Sequence, residues 1–122
     1  MAKVYFTKEI SEDSLAKMFE VLGVELSGKV CVKLHSGEEG NQNYLRPEFL
    51  KDIINYVDGT VVECNTAYNG ARNTSEKHKE LLKKHKWDMY KFDLLDEVED
   101  ITLSIPNGKV IKEVYVGKNI EK

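Results

Sequence analysis

A chain of 122 residues, 41% of them hydrophobic, is sized and composed for one globular domain. A formal charge of −3, with acids and bases interspersed outside the cluster KHKELLKKHK, gives no footprint of a dedicated nucleic-acid binder. No apolar run approaches the roughly 18 residues of a membrane span, and no basic-then-apolar leader is seen, so a cytoplasmic protein without a membrane partner is expected.

In chain order, KVYF (3–6) reads as a short first strand. SEDSLAKMFEVLG follows as a helix. Ser11 suits the N-cap, acids fill the first turn, and Gly23 suits the stop. Leu15, Met18, Phe19 and Leu22 recur at helical spacing and define one apolar face. KVCVKLH is the second strand, with Val30, Val32 and Leu34 on one face and Cys31, Lys33 and His35 on the other. Lys33 is costly to bury unpaired, so it needs an open face or a carboxylate such as Glu63.

After the polar loop HSGEEGNQN, Pro47 suits the first turn of a helix, where its missing N–H is not needed. Phe49, Leu50, Ile53, Ile54 and Val57 give that helix a broad apolar stripe, ended by Asp58-Gly59. TVVECNT is the third strand and AYNGARN a second polar loop. Asn73 and Glu76 have capping-box spacing for a third helix, roughly 74–86. With only Leu81 and Leu82 as clear core residues, that helix is expected to be the most exposed. MYKFDLLD reads as a fourth strand. Alternating apolar residues on both sides of Pro106-Asn107-Gly108 suggest a β-hairpin. Cys31 and Cys64 lie within apolar runs and read as buried free thiols, Trp87 and Phe92 as core.

The alternation of strands and helices predicts an α/β fold. It would be a mainly parallel sheet with crossover helices, a three-layer αβα-like arrangement, plus a C-terminal β-hairpin. Ligands in such sheets bind beyond the carboxyl ends of the strands, and both polar loops leave such ends.

Three constellations can carry chemistry there. His35 and Glu63, with Glu38 and Glu39 nearby, have the donor types for a divalent ion, although no HxH or HxxxH spacing supports one. The alternative is a loop-holding His35 and a structural ion pair for Glu63. Ser36, Gly37, Asn43, Arg46 and Arg72 suit an anion. Arg46 and Arg72 are the only arginines among 18 basic residues, both lie in or beside the polar loops, and their forked donors fit carboxylate or phosphate. A local ion pair with Glu48 or an Asp is the competing reading for either arginine. Asn65, Thr66 and Tyr68 can orient a small molecule or simply make turns. His78 and His85, seven apart, read as two half-buried imidazoles on one helix face. No GxSxG, Walker A or GxGxxG motif is present, and no CxxC pair, so no iron–sulfur cluster is expected in this chain alone.

The segments KVCVKLHSGEEGNQNYLRPEF, GTVVECNTAYNGARNTSEKHKE and IPNGKVIKEVYVGKNIEK resemble the amino-terminal part of the "domain of unknown function 362" family, over nearly the whole chain. The resemblance implies that longer members continue into a histidine- and glycine-rich segment, often with a ferredoxin-like iron–sulfur module. It makes residues 1–122 one domain that is incomplete relative to those members. The expected function is binding of a small anionic ligand or a metal at the strand ends, as part of a redox protein. The alternative is a non-catalytic domain that docks on a missing second half or forms a homodimer through free strand edges near Val110 to Val116.

Overall fold

A computed structural model describes residues 2–121. It is a mixed α/β fold, as expected. Three short parallel strands, β1 (Cys31–Lys33), β2 (Thr60–Glu63) and β3 (Phe92–Leu94), form one sheet in the order β1-β2-β3. A separate antiparallel pair, β4 (Asp100–Ser104) and β5 (Glu113–Gly117), makes the C-terminal hairpin. The helices are α1 (Glu12–Leu22), α2 (Lys51–Tyr56) and α3 (Ser75–Lys84). None is long and apolar enough to cross a membrane among the described residues.

The residues expected to cap α1 do so. Ser11 accepts from the Ser14 N–H at 3.2 Å, the Ser14 hydroxyl accepts from the Ser11 N–H at 3.1 Å, and Gly23 closes the helix with φ 62°. Its apolar face meets α2, with Phe19 edge-on to Tyr56 at 6.0 Å, yet no residue of α1 is buried. Pro47 opens a 3-10 turn, Pro47–Leu50, that runs into α2.

Leu50 and Ile54 from this crossover share one buried cluster with Leu34, Val61, Leu82 and Trp87. Val61 lies at the centre of the sheet, opposite Val32 on one side and Phe92 on the other. Both crossovers therefore bury apolar residues against the same strand, which fixes the register of the loops that leave its carboxyl end.

Several expectations change. Residues 3–6 form no strand: a strand needs a ladder partner, the segment has none among the described residues, and Val4 and Phe6 are exposed. The cap of α3 is Thr74 rather than Asn73, its hydroxyl accepting from the Lys77 N–H at 3.4 Å. The helix is also better buried than α1, because His78 joins Leu81 and Leu82 on its inner face. Both cysteines are exposed, not buried. By strand alternation Cys31 and Cys64 fall on the face opposite Val61, away from the cluster. Lys33 does not pair with Glu63: it stands beside Val62, one residue out of step and on the other face. The hairpin turn is longer than the Asn-Gly pattern suggests. Gly108 lacks the positive φ of a tight hairpin turn, its N–H returns to Ile105 O at 3.0 Å, and the loop closes where Ile105 N–H meets Lys112 O at 2.8 Å.

Candidate functional site at the carboxyl ends of β1 and β2

Because β1 and β2 run parallel and adjacent, the loops that follow them open at the same end of the sheet. Their side chains interlock around Glu63, the last residue of β2. Glu63 Oε2 accepts from the Ser36 N–H at 3.0 Å, and Oε1 pairs with Arg72 Nη1. His78, reaching across from α3, places Nε2 3.3 Å from Glu63 Oε2 and 3.4 Å from Ser36 Oγ. Its Nδ1 faces Asn65 Oδ1 at 3.1 Å. Asn65 is fixed in turn by Ser75, which accepts from its amide at 2.9 Å, and by Asp96, which accepts from its backbone N–H at 3.0 Å.

Ser36, Glu63, Arg72 and His78 are all buried. Burial pushes the Glu63 carboxyl up, but hydrogen bonds from His78 and Ser36 outweigh it and hold the group below the usual carboxylate range. Ser36 and Glu63 approach the same nitrogen of His78, and Ser36 is sealed from solvent. A nucleophilic relay needs hydroxyl and carboxylate on opposite ring nitrogens, so this trio is not one.

Arg72 links this buried layer to the surface. Its inner edge holds Glu63, while Nη2 contacts the Glu38 carboxylate, the Tyr68 hydroxyl at 2.9 Å and His35 Nε2 at 3.0 Å. Tyr68 donates its own proton to Glu38 at 2.6 Å. The Arg72 and Tyr68 hydrogen bonds pull the Glu38 carboxyl down, and Glu38 raises the Tyr68 phenol. Burial lowers the Arg72 guanidinium, but Glu38 and Glu63 outweigh it and raise it. Arg72 Nε is a buried donor without a partner among the described residues.

His35 is held weakly. Gly37 N–H points at its Nδ1 at 3.0 Å while Arg72 approaches Nε2. Both neighbours are donors, and a neutral imidazole has one lone pair, so only one contact is satisfied at a time.

Of the residues singled out from sequence, His35, Ser36, Gly37, Glu63, Asn65, Tyr68 and Arg72 come together. Thr66 joins through its backbone, its N–H donating to Arg72 O at 2.9 Å. Asn43 and Arg46 do not. Asn43 donates its N–H to Asn41, and Arg46 reaches Gln42 O at 2.8 Å while stacking over Tyr44 at 4.0 Å. Tyr44 itself stacks on His85 at 4.1 Å, and His85 Nδ1 and Trp87 Nε1 both meet Ser36 O. Arg46 is thus outside the Arg72 network, buttressing the loop from behind.

The two suggested metal ligands, His35 and Glu63, have the guanidinium of Arg72 between them, and a cation there would compete with a fixed positive charge. No group of three or more His, Cys, Asp and Glu side chains among the described residues is arranged to hold a metal ion.

The sequence marks His78 only as a half-buried helix-face residue, yet it is fully buried and joins the two loops. Its spacing with Leu81 and Leu82 signals an inward face, but nothing local signals a partner on β2. Glu38, which the sequence offers only as a donor near His35 and Glu63, is the outer partner of Arg72.

Residues 30–122 match the model of a family described as "Domain of unknown function (DUF362)". No curated protein and no solved structure matches the chain.

Proposed function

The chain belongs to the domain of unknown function 362 family, and from that premise we propose that it binds a small anionic group at the mouth of β1 and β2, with Arg72 as the anchoring cation. One observation carries the reading. Arg72 is buried, has an Nε donor without a partner among the described residues, and meets on its outer edge the partly exposed side chains of Glu38, Tyr68 and His35. Arginine presents planar, paired donors to carboxylate or phosphate, and a desolvated guanidinium binds such groups more strongly than a surface lysine. Helix starts and glycine N–H groups, which can also donate to anions, take a smaller part, because Gly37 N–H is already directed at His35.

Calorimetric titration with sodium phosphate and with short carboxylates at matched ionic strength tests the reading. Saturable binding that survives Arg46→Ala and is lost in Arg72→Lys supports it. Binding that depends on Arg46 instead, or no saturable binding to the folded wild type, sinks it.

A second reading, an interaction domain that pairs with another copy of itself, is supported by the hairpin. Val110 and Ile111 are exposed in its connecting loop, at 90% and 61%, and Tyr115 on β5, at 71%, and the two-stranded sheet has no further strand at either edge among the described residues. Sedimentation of the wild type against Ile111→Lys tests it: a dimer that the substitution dissociates is expected, and a monomer at all concentrations ends that reading.

A further inference from the structure

We propose that Glu38 is a built-in plug, a carboxylate of the protein's own that occupies the place of a ligand carboxylate. This rests on the anion reading above and narrows it to one ligand class.

The two carboxylates on Arg72 are not equivalent. The side chain of Glu63 is 4% exposed and bonded also to Ser36 and His78, so it is part of the frame. That of Glu38 is 34% exposed, and its bonding partners, Arg72 and Tyr68, gather on one oxygen, with His35 Nε2 3.9 Å away. Glu38 belongs to a different loop from Arg72 and Tyr68, which follow β2. It sits in a turn closed by Asn41 N–H on Glu38 O at 3.1 Å and bounded by Gly37 (φ 101°) and Gly40 (φ 78°). The carboxylate can therefore leave its donors by a change within that turn, without moving β1, β2 or α3.

What Glu38 vacates is a seat shaped by a guanidinium N–H, a phenol and an imidazole, with the orphaned Arg72 Nε–H on the same side chain. The charge count favours a carboxylate in that seat. Glu63 already neutralises the single charge of Arg72, and Glu38 supplies one further negative charge. A carboxylate ligand replaces Glu38 charge for charge. A phosphate, at about −1.5 to −2, would add excess negative charge beside buried Glu63. Binding is an exchange of one carboxylate for another, and the plug lowers the apparent affinity by the fraction of time the seat is taken.

The experiment uses Glu38→Ala and sodium propionate, which reproduces the missing side chain, read by thermal shift at constant ionic strength. Glu39→Ala is the control, since Glu39 pairs with Lys84 on the surface rather than with Arg72. Glu38→Ala should melt lower than wild type. Propionate should restore it saturably, with a midpoint about tenfold or more below that of wild type. Sodium phosphate should not restore it, and the control should keep the wild-type propionate midpoint. If propionate shifts Glu38→Ala no more than Glu39→Ala, the plug is wrong. If propionate and phosphate bind wild type and Glu38→Ala with equal midpoints, the plug falls and the broader anion site stands. If neither anion acts on any folded variant, both fall. Should Glu38→Ala not fold, Glu38→Gln keeps the side-chain size while removing the charge, and its propionate midpoint is read in the same way.

Discussion

Arg72 and Glu63 form an ion pair in which both side chains are 4% exposed, although one lies in a loop and the other ends a strand. Such a pair gives little net stability over apolar replacements, but removing one member strands the other in a low-dielectric interior. Arg72→Ala should therefore cost about 3–5 kcal/mol of unfolding free energy, while the double change Arg72→Met with Glu63→Leu should cost less than the single one. Urea denaturation followed through the single tryptophan measures both. A double variant at least as unstable as Arg72→Ala would remove the pair from the account.

Acid should unfold the protein through this network. The carboxyls of Glu38 and Glu63 are both held below their ordinary value of 4.5 in the folded state. A depressed folded value gives stability that is fully present above the unfolded value and is lost as pH falls through the folded one. Stability should be flat down to about pH 4.5 and then decline, and Glu38→Gln should flatten part of the decline. Melting temperatures across an acid series check this, and an identical slope in Glu38→Gln would contradict it.

At the alkaline side the sign reverses. Tyr68 is raised above its ordinary value of 10.0, chiefly by its hydrogen bond to Glu38. The stabilising O–H donation is present below the unfolded value and disappears as pH rises through the folded one. Ultraviolet titration of wild type against Tyr68→Phe should show one phenol ionising late, and its absence from the difference would count against the contact.

Gly37 should tolerate no side chain. Its φ is 101°, and a Cβ there would lie 2.7 Å from Tyr44 Cγ. Gly37→Ala should cost about 1–3 kcal/mol from backbone strain, with further loss if Tyr44 leaves its stack on His85. Gly70→Ala, which meets nothing within 4 Å and needs no positive φ, should be near neutral. Equal stabilities for the two variants would overturn the reasoning.

Trp87 should report on the site as well as on folding. It is fully buried, and its indole N–H donates to Ser36 O at 3.1 Å. Folded protein should emit at short wavelength and resist acrylamide, and Trp87→Phe should lose about 1 kcal/mol for the hydrogen bond plus a packing loss. Emission typical of exposed indole would show that Trp87 lies elsewhere.

The parallel strands, the cap at Ser11, Pro47 at a helix start and the hairpin around Asn107-Gly108 were legible because each has a short-range signature: alternation, a side-chain acceptor, a missing N–H, a turn. So was the meeting of the two polar loops at one end of the sheet, since parallel neighbouring strands end together. The sequence by itself also marked Arg72 and Glu63, a rare arginine and a carboxylate in an apolar run. Only the tertiary structure decided that these two are partners, that Lys33 is on the other face, that His78 closes the network from α3, and that Arg46 stands apart on Tyr44. Burial of charge costs free energy unless a partner arrives, and the partner can come from any distance along the chain. Local pattern says that a partner is required, and the packing of strands and helices says which one it is.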